Sequence, residues 1–243
     1  MMKCMTAMKE SAAANDTHAS TPRAARRRKR ADVRQELVLQ AARSAFFELG
    51  MEKASLREIA RRAGYTPGAL YSYFPSKEHI YGVLLSESLE RLNAQVAQAL
   101  AAEPGHGAHL RAAATALFEF YRTNPRDLDL GFYLFQGMAP RGLTPELNTS
   151  LNLRLRDALL PCHAALQGLG KDGATATREV TALFAHIVGL LVLRHTGRIR
   201  MFGQSSRELF SIYLAQLLER AAPATDTALH SSVEQGGKPQ TVL

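Results

Sequence analysis

"IARRAGYTPGALYSYFPSKEHI", residues 59–80, is the stretch on which the fold turns. Ser55 and Glu58, three apart, form a capping-box pattern just upstream of it. Leu56, Ile59, Ala60 and Ala63 then fall at i, i+3, i+4 and i+7, which is one buried helical face. Gly64 is a natural left-handed stop. Thr66 followed by Pro67 supplies a cap and a first-turn proline, so a new helix starts almost at once. Pro75 closes it early. A helix of about eight residues, a three-residue break and a shorter second helix is helix-turn-helix geometry. Helix two, with Leu70 and Phe74, locks the pair together and leaves one face of the short helix free.

That free face has the chemistry of a groove reader. Pro67, Gly68 and Ala69 are small and allow close approach to base edges, and Ala69 suits a thymine methyl. Tyr71 and Tyr73 place hydroxyls where a groove-bound helix meets bases and phosphates. The N–H groups of the helix start favour phosphate. Lys77, opening the next helix, adds a charge at the groove edge.

The charge distribution agrees. The 243-residue chain carries a net +8, of which residues 1–30 contribute eight basic and two acidic side chains. The run "RAARRRKR", residues 23–30, attracts polyanions through counterion release. Two cysteines, Cys4 and Cys162, are too few for a disulfide framework and fit a reducing cytoplasm. No unbroken apolar run approaches the roughly 18 residues of a membrane span, and no signal peptide opens the chain. The expectation is a cytoplasmic protein with no membrane partner and no cofactor.

Around the central motif nearly everything reads as helix, and no alternating β-branched run is bounded by turns. The reading is all-α, with nine helices. The first covers residues 32–49, with Val33, Leu37, Ala41, Ala45 and Leu49 as its buried stripe and Gly50 as its stop. The fourth starts at Ser76 and runs to about residue 102. The fifth covers 108–122. The sixth starts at Asn124 and ends near residue 138. Thr144-Pro145 opens the seventh, with Leu147, Leu151, Leu155 and Leu159 in line and a bend or break at Pro161. The eighth covers 174–195. The ninth opens on a second box, Ser205 with Glu208, and ends near 222. The domains expected are a disordered basic arm (1–31), a DNA-binding domain (32–92, helix-turn-helix 55–74), a larger helical domain (93–222) and a disordered tail (223–243).

"SLREIARRAGYTPGALYSYFPSKEHIYGVLL" resembles the DNA-binding segment of the TetR family of transcriptional repressors. The family pattern is an "IA..AG" helix, a small-residue recognition helix, "LY.YF" and "..K..L", with Ile80 here in the last apolar place. "LVLQAARSAFFELGMEKAS" before it also resembles the family's first helix and turn. The similarity covers about residues 32–92, and beyond it only the architecture matches. It implies DNA contacts at Tyr71, Tyr73 and Lys77, at Thr66 and Ser72 toward phosphate, at base-reading positions Pro67, Gly68 and Ala69, and at Arg57 on helix two.

The resemblance also implies a larger domain that dimerises and binds a small effector. Dimers of this kind pack the last two helices of each subunit into a four-helix bundle. The candidate interface is Ile187, Gly189, Leu190, Phe210, Tyr213 and Leu217. Aromatic clusters in the same domain nominate a ligand pocket of Phe118, Tyr121, Phe132, Phe135, Met138, Phe184 and His186, suited to an apolar or aromatic molecule with one or two polar groups. "GLGKDG" at residues 168–173 matches G-x-G-x-x-G but lacks the strand context, so it reads as an interhelix turn. No cysteine–histidine cluster has metal spacing, and no nucleophile motif surrounds the serines and histidines.

The expectation is therefore a non-enzymatic, homodimeric repressor of a near-palindromic operator in double-stranded DNA, released by a small-molecule effector. An activator or a ligand-independent regulator of the same fold, or a largely nonspecific DNA binder, stays open.

Overall fold

Proline at its first position opens α1 (Pro22–Lys53). The computed structural model describes residues 22–132 and 143–222, among which there are nine α-helices and no strand. Residues 22–31, expected within a disordered arm, are therefore helical. Apolar periodicity reports burial, and the side chains of Arg23, Arg26, Lys29 and Arg30 are exposed. Helicity here comes from the intrinsic preference of alanine, arginine and lysine, which a search for a buried stripe overlooks. Residues 1–21 and 223–243 lie outside the described residues.

The buried face of α1 also differs from expectation. Ala41 and Ala45 are buried, but Val33, Leu37 and Leu49 are exposed, and Val38, Leu39, Ala42 and Phe46 complete the core side. A spacing of four overshoots the helical repeat by about 40° each time, so Val33 ends about 180° from Ala42. Gly50, at φ 74° and ψ 160°, ends the regular helix where the sequence suggests, and one further turn reaches Lys53.

α2 (Leu56–Ala63) and α3 (Pro67–Tyr71) follow, and α2 packs on α1. α4 (Lys77–Leu100) is a single 24-residue helix, about 36 Å long, that begins in the N-terminal head and ends in the body. The expected domain boundary at residue 92 falls inside it, so head and body share one continuous element. α5 (His106–Thr123) and α7 (Pro145–Gly168) flank α4 in the body. α6 (Pro125–Gly131) is a short bridge that ends before Phe132, earlier than the expected sixth helix, whose residues 133–138 lie outside the described residues.

α7 runs through Pro161 without breaking. The proline costs one backbone bond, but Ala158 and Cys162 beside it are fully buried, and their packing carries the helix across. Burial pushes the Cys162 thiol up to about 12, so it stays protonated. "GLGKDG" is the interhelix turn before α8 (Gly173–His195), with Gly170 at φ 89°. A 3-10 turn (Arg198–Phe202) leads to α9 (Ser206–Ala221), where the expected box is absent because the Ser205 side chain makes no cap.

α8 is long and apolar enough by composition to cross a membrane, with mean hydropathy 1.5, although no unbroken apolar run suggests it. Ala176, Val180, Leu183, Ile187, Leu190 and Leu191 are its buried side, and α8 packs against α7 and α9. Only 33% of that window is buried, and its outward side carries threonines, Ala182, Ala185, Gly189 and Leu193.

Candidate nucleic-acid interface

The platform under the short helix is built by local chemistry. Ser55 Oγ accepts from the Glu58 amide at 3.1 Å and caps α2. The Glu58 carboxylate accepts from Arg61 at 2.9 and 2.7 Å and from Arg62 at 2.7 Å. These bonds hold its pKa down at about 2. Arg62 also reaches back to α1, donating to Glu48 at 2.8 Å and to Ser44 at 3.0 Å. One arginine thus ties α2 to α1. Its partners lie 14 and 18 residues upstream, where no local sequence signal points.

The turn closes as a left-handed stop. Gly64 sits at φ 74°, ψ 26°, and the Tyr65 amide donates to the Ala60 carbonyl at 2.9 Å. Thr66 then caps α3, its Oγ1 accepting from the Ala69 amide at 3.3 Å. That bond uses an acceptor lone pair, so the Thr66 hydroxyl keeps its proton to donate. Leu70 and Phe74 are 1% and 2% exposed. Their burial holds α3 to the head by about 1.5–3 kcal/mol each.

The outward side is open. Tyr71 is 58% exposed and Tyr73 36%. Pro67, Gly68 and Thr66 are exposed and Ala69 is half-buried. A methyl group placed on Gly68 would meet no atom within 4 Å, so nothing inside the chain requires glycine there. Arg57 is exposed on α2 with no ion pair among the described residues. Arg34 of α1 lies beside the Tyr73 hydroxyl, and this contact raises the guanidinium's pKa further. Arg34 joins the surface by tertiary packing alone, from 39 residues upstream of Tyr73.

Two of the expected contacts are already engaged. Ser72 Oγ donates its proton to the Ala69 carbonyl at 2.7 Å. A phosphate only accepts, so Ser72 would have to break that bond to reach one. Lys77 Nζ donates to the carbonyls of Met51 at 2.6 Å and Glu52 at 3.1 Å, which caps the end of α1. One ammonium hydrogen remains for a phosphate.

In the body, a cavity of about 260 Å³ is lined by Leu85, Leu89, Tyr121, Phe132, Leu151 and Asn152, among others. Tyr121 meets Phe132 edge-on at 5.6 Å, and Phe132 lies 5.9 Å from Phe184. These three aromatics are contiguous. Phe118 is not with them: it is fully buried and stacks on Phe210 at 4.3 Å, joining α5 to α9. His186 also turns to α9, stacking on Tyr213 at 4.0 Å. Burial lowers its pKa, which favours the neutral ring. Phe135 and Met138 lie outside the described residues.

The expected dimer residues divide in the same way. Ile187, Leu190, Phe210 and Leu217 are at most 6% exposed within one chain, so they have almost no surface left for a partner. They belong to the intrachain core. Tyr213 is half-buried and Gly189 exposed. The outward apolar groups on these helices include instead Ala182, Ala185, Leu193 and Ile212.

Residues 38–83 match the family model "Bacterial regulatory proteins, tetR family". The HTH-type transcriptional activator FasR of Mycolicibacterium smegmatis is 37% identical over 89 residues, which is 37% of this chain and 41% of that protein. The chain thus matches less than half of this relative's length. The regulatory protein SCO4313 superposes with a TM-score of 0.65 at 23% identity, over 79% of this chain and 98% of that one. The transcriptional regulator FadR of Bacillus subtilis, solved with stearoyl-CoA, superposes at 0.57 and 18% identity, over 77% and 97%. These two likenesses concern the fold.

Proposed function

We propose that this chain, which carries the DNA-binding segment of the tetR family of bacterial regulatory proteins, is a homodimeric, sequence-specific repressor that a small molecule releases from its operator. One observation carries the reading. α3 is pinned to the head by buried Leu70 and Phe74, while Tyr71, Tyr73 and an unobstructed Gly68 face outward. Two exposed tyrosines just after a bare glycine, on a helix held by its other side, suit a DNA groove.

In this mechanism each subunit places α3 in a major groove, about 34–36 Å from its twin, on an inverted repeat. Ala69 and the backbone at Gly68 approach base edges. Tyr71, Tyr73 and Thr66 donate to phosphates or bases, with Arg57, Arg34 and the remaining hydrogen of Lys77 at the flanks. Ser72 contributes by holding the end of α3. The basic helical start of α1, with exposed Arg23, Arg26, Lys29 and Arg30, adds salt-dependent attraction. The domains that serve these roles are residues 32–92 for DNA and 93–222 for ligand and partner.

The dimer uses the outward face of α8 and α9, built on Ala182, Ala185, Gly189, Leu193 and Ile212. The small outward residues of α8, with exposed Leu193 and Ile212, support this by allowing close helix approach. The effector is an apolar molecule with one or two polar groups, for which the Tyr121–Phe132 cavity is a candidate. Release requires that it bind the free form more tightly than the operator-bound form. Measuring effector affinity with and without DNA tests this, and equal affinities would refute release. FasR is named an activator, so activation from the same DNA contacts is the second reading. Transcription in vitro with and without the chain separates the two.

A further inference from the structure

A second cleft, of about 350 Å³, opens where the head meets the body. Its walls come chiefly from α1 (Arg43, Phe46, Phe47), α4 (Leu84, Arg91) and α6 (Arg126, Asp127, Leu130), with Thr123 at the end of α5 completing them. The polar groups are chiefly cationic. Arg91 pairs with Asp127 at 2.5 Å. Arg43 reaches Glu87, outside the lining, only at 3.4 Å. Arg126 has no carboxylate partner among the described residues and lies over the Phe47 ring at 4.8 Å. Three guanidiniums therefore line the cleft with one carboxylate. Exposed Phe47 and Pro125 supply an apolar wall, backed by the buried side chains of Phe46, Leu84 and Leu130.

The cleft also sits on the contact that joins head to body. Phe46 packs edge-on against Tyr81 of α4 at 6.2 Å. The Tyr81 hydroxyl donates to the Leu130 carbonyl at the end of α6. Residues that line the cleft thus end both sides of a link running α1–α4–α6. Anything seated there touches all three helices.

We propose that this cleft is a binding site for an amphipathic organic anion, a carboxylate or sulfonate on an apolar body. The anionic group lies between Arg126 and Arg43, in a planar fork suited to guanidinium. The apolar body lies along Phe47 and Pro125. Occupancy draws Arg126 off Phe47 and changes how α1 sits on α6. The effect on DNA rests on the DNA-binding reading above; the binding step does not.

Calorimetry on the full chain tests the site with decanoate against its neutral analogue decanol. One equivalent of decanoate is expected, bound at least tenfold more tightly than decanol. Arg126→Gln and Arg43→Gln should each weaken decanoate at least fivefold and leave decanol unchanged. Arg126 is exposed, so an unchanged melting temperature shows the variant folds. Asn152→Trp, which puts a large ring at the exposed edge of the Tyr121–Phe132 cavity, should leave decanoate binding as it was. Equal binding of decanoate and decanol would overturn the proposal, as would no saturable binding. Loss of decanoate in Asn152→Trp with Arg126→Gln unaffected would place the site in the other cavity. Saturating decanoate should also change affinity for a selected DNA site at least fivefold in the parent and not in Arg126→Gln. Binding with no such change would overturn the coupling, whereas failure to bind any DNA would count against the regulatory reading and leave the site intact.

Discussion

Replacing Gly68 by alanine separates a structural glycine from one kept for a partner. Gly68 occupies the second position of α3 and does not adopt a positive φ. A β-carbon there meets nothing within 4 Å. Alanine in place of an exposed helical glycine stabilises by roughly 0.5–1 kcal/mol, and the lower end applies in a helix this short. Thermal unfolding of Gly68→Ala should therefore show the same melting temperature or a slightly higher one. DNA binding should move the other way. If the first turn of α3 lies against base edges, an added methyl is overpacked, at a cost of about 1–3 kcal/mol. That is about a 5- to 150-fold loss of affinity, readable by fluorescence anisotropy on a labelled duplex. Unchanged affinity would mean that this turn does not approach DNA. A falling melting temperature would mean that the chain itself needs the glycine.

Tyr71→Phe removes one exposed hydroxyl; affinity for a selected duplex should fall roughly 10- to 100-fold, the worth of a hydrogen bond to a charged group, while stability stays within about 0.5 kcal/mol. Ile212→Asp puts a charge on the outward face of α9, where Ile212 is 51% exposed, and should halve the mass seen by light scattering; an unchanged mass would remove α9 from the interface. Glu58 has its pKa lowered from 4.5 to about 2, so its contribution is present above pH 4.5 and is lost as pH falls toward 2. Glu58→Gln should flatten the fall in melting temperature across that window, and an unchanged profile would show that the Arg61 and Arg62 contacts add nothing.

The helix-turn-helix was legible because its punctuation is local. Ser55, Gly64, Thr66 and Pro67 each act within four residues, through caps and backbone angles that their own chemistry dictates. What was not legible depends on distance. An apolar residue announces that it will be buried, not by which chain: Phe210 and Leu217 look equally suited to a partner and to the core, and only their packing decides. Phe118 belongs with the pocket aromatics by composition, but it stacks on Phe210, 92 residues downstream. Lys77 reads as a free cation until the carbonyls of Met51 and Glu52 are found against it. The start of α1 was missed for the opposite reason, since a helix that buries little leaves no apolar period.

The central claim is that a dimer of this chain reads DNA sequence through α3. It is tested most directly by mixing the full chain with a random duplex library at about 0.15 M salt, where phosphate-only binding is suppressed, and sequencing what is retained. The account predicts an enriched inverted repeat whose half-sites are centred about one helical turn apart, or a multiple of it. Retention without any enriched sequence, vanishing as salt is raised, would contradict it and leave the basic start of α1 as the main DNA contact.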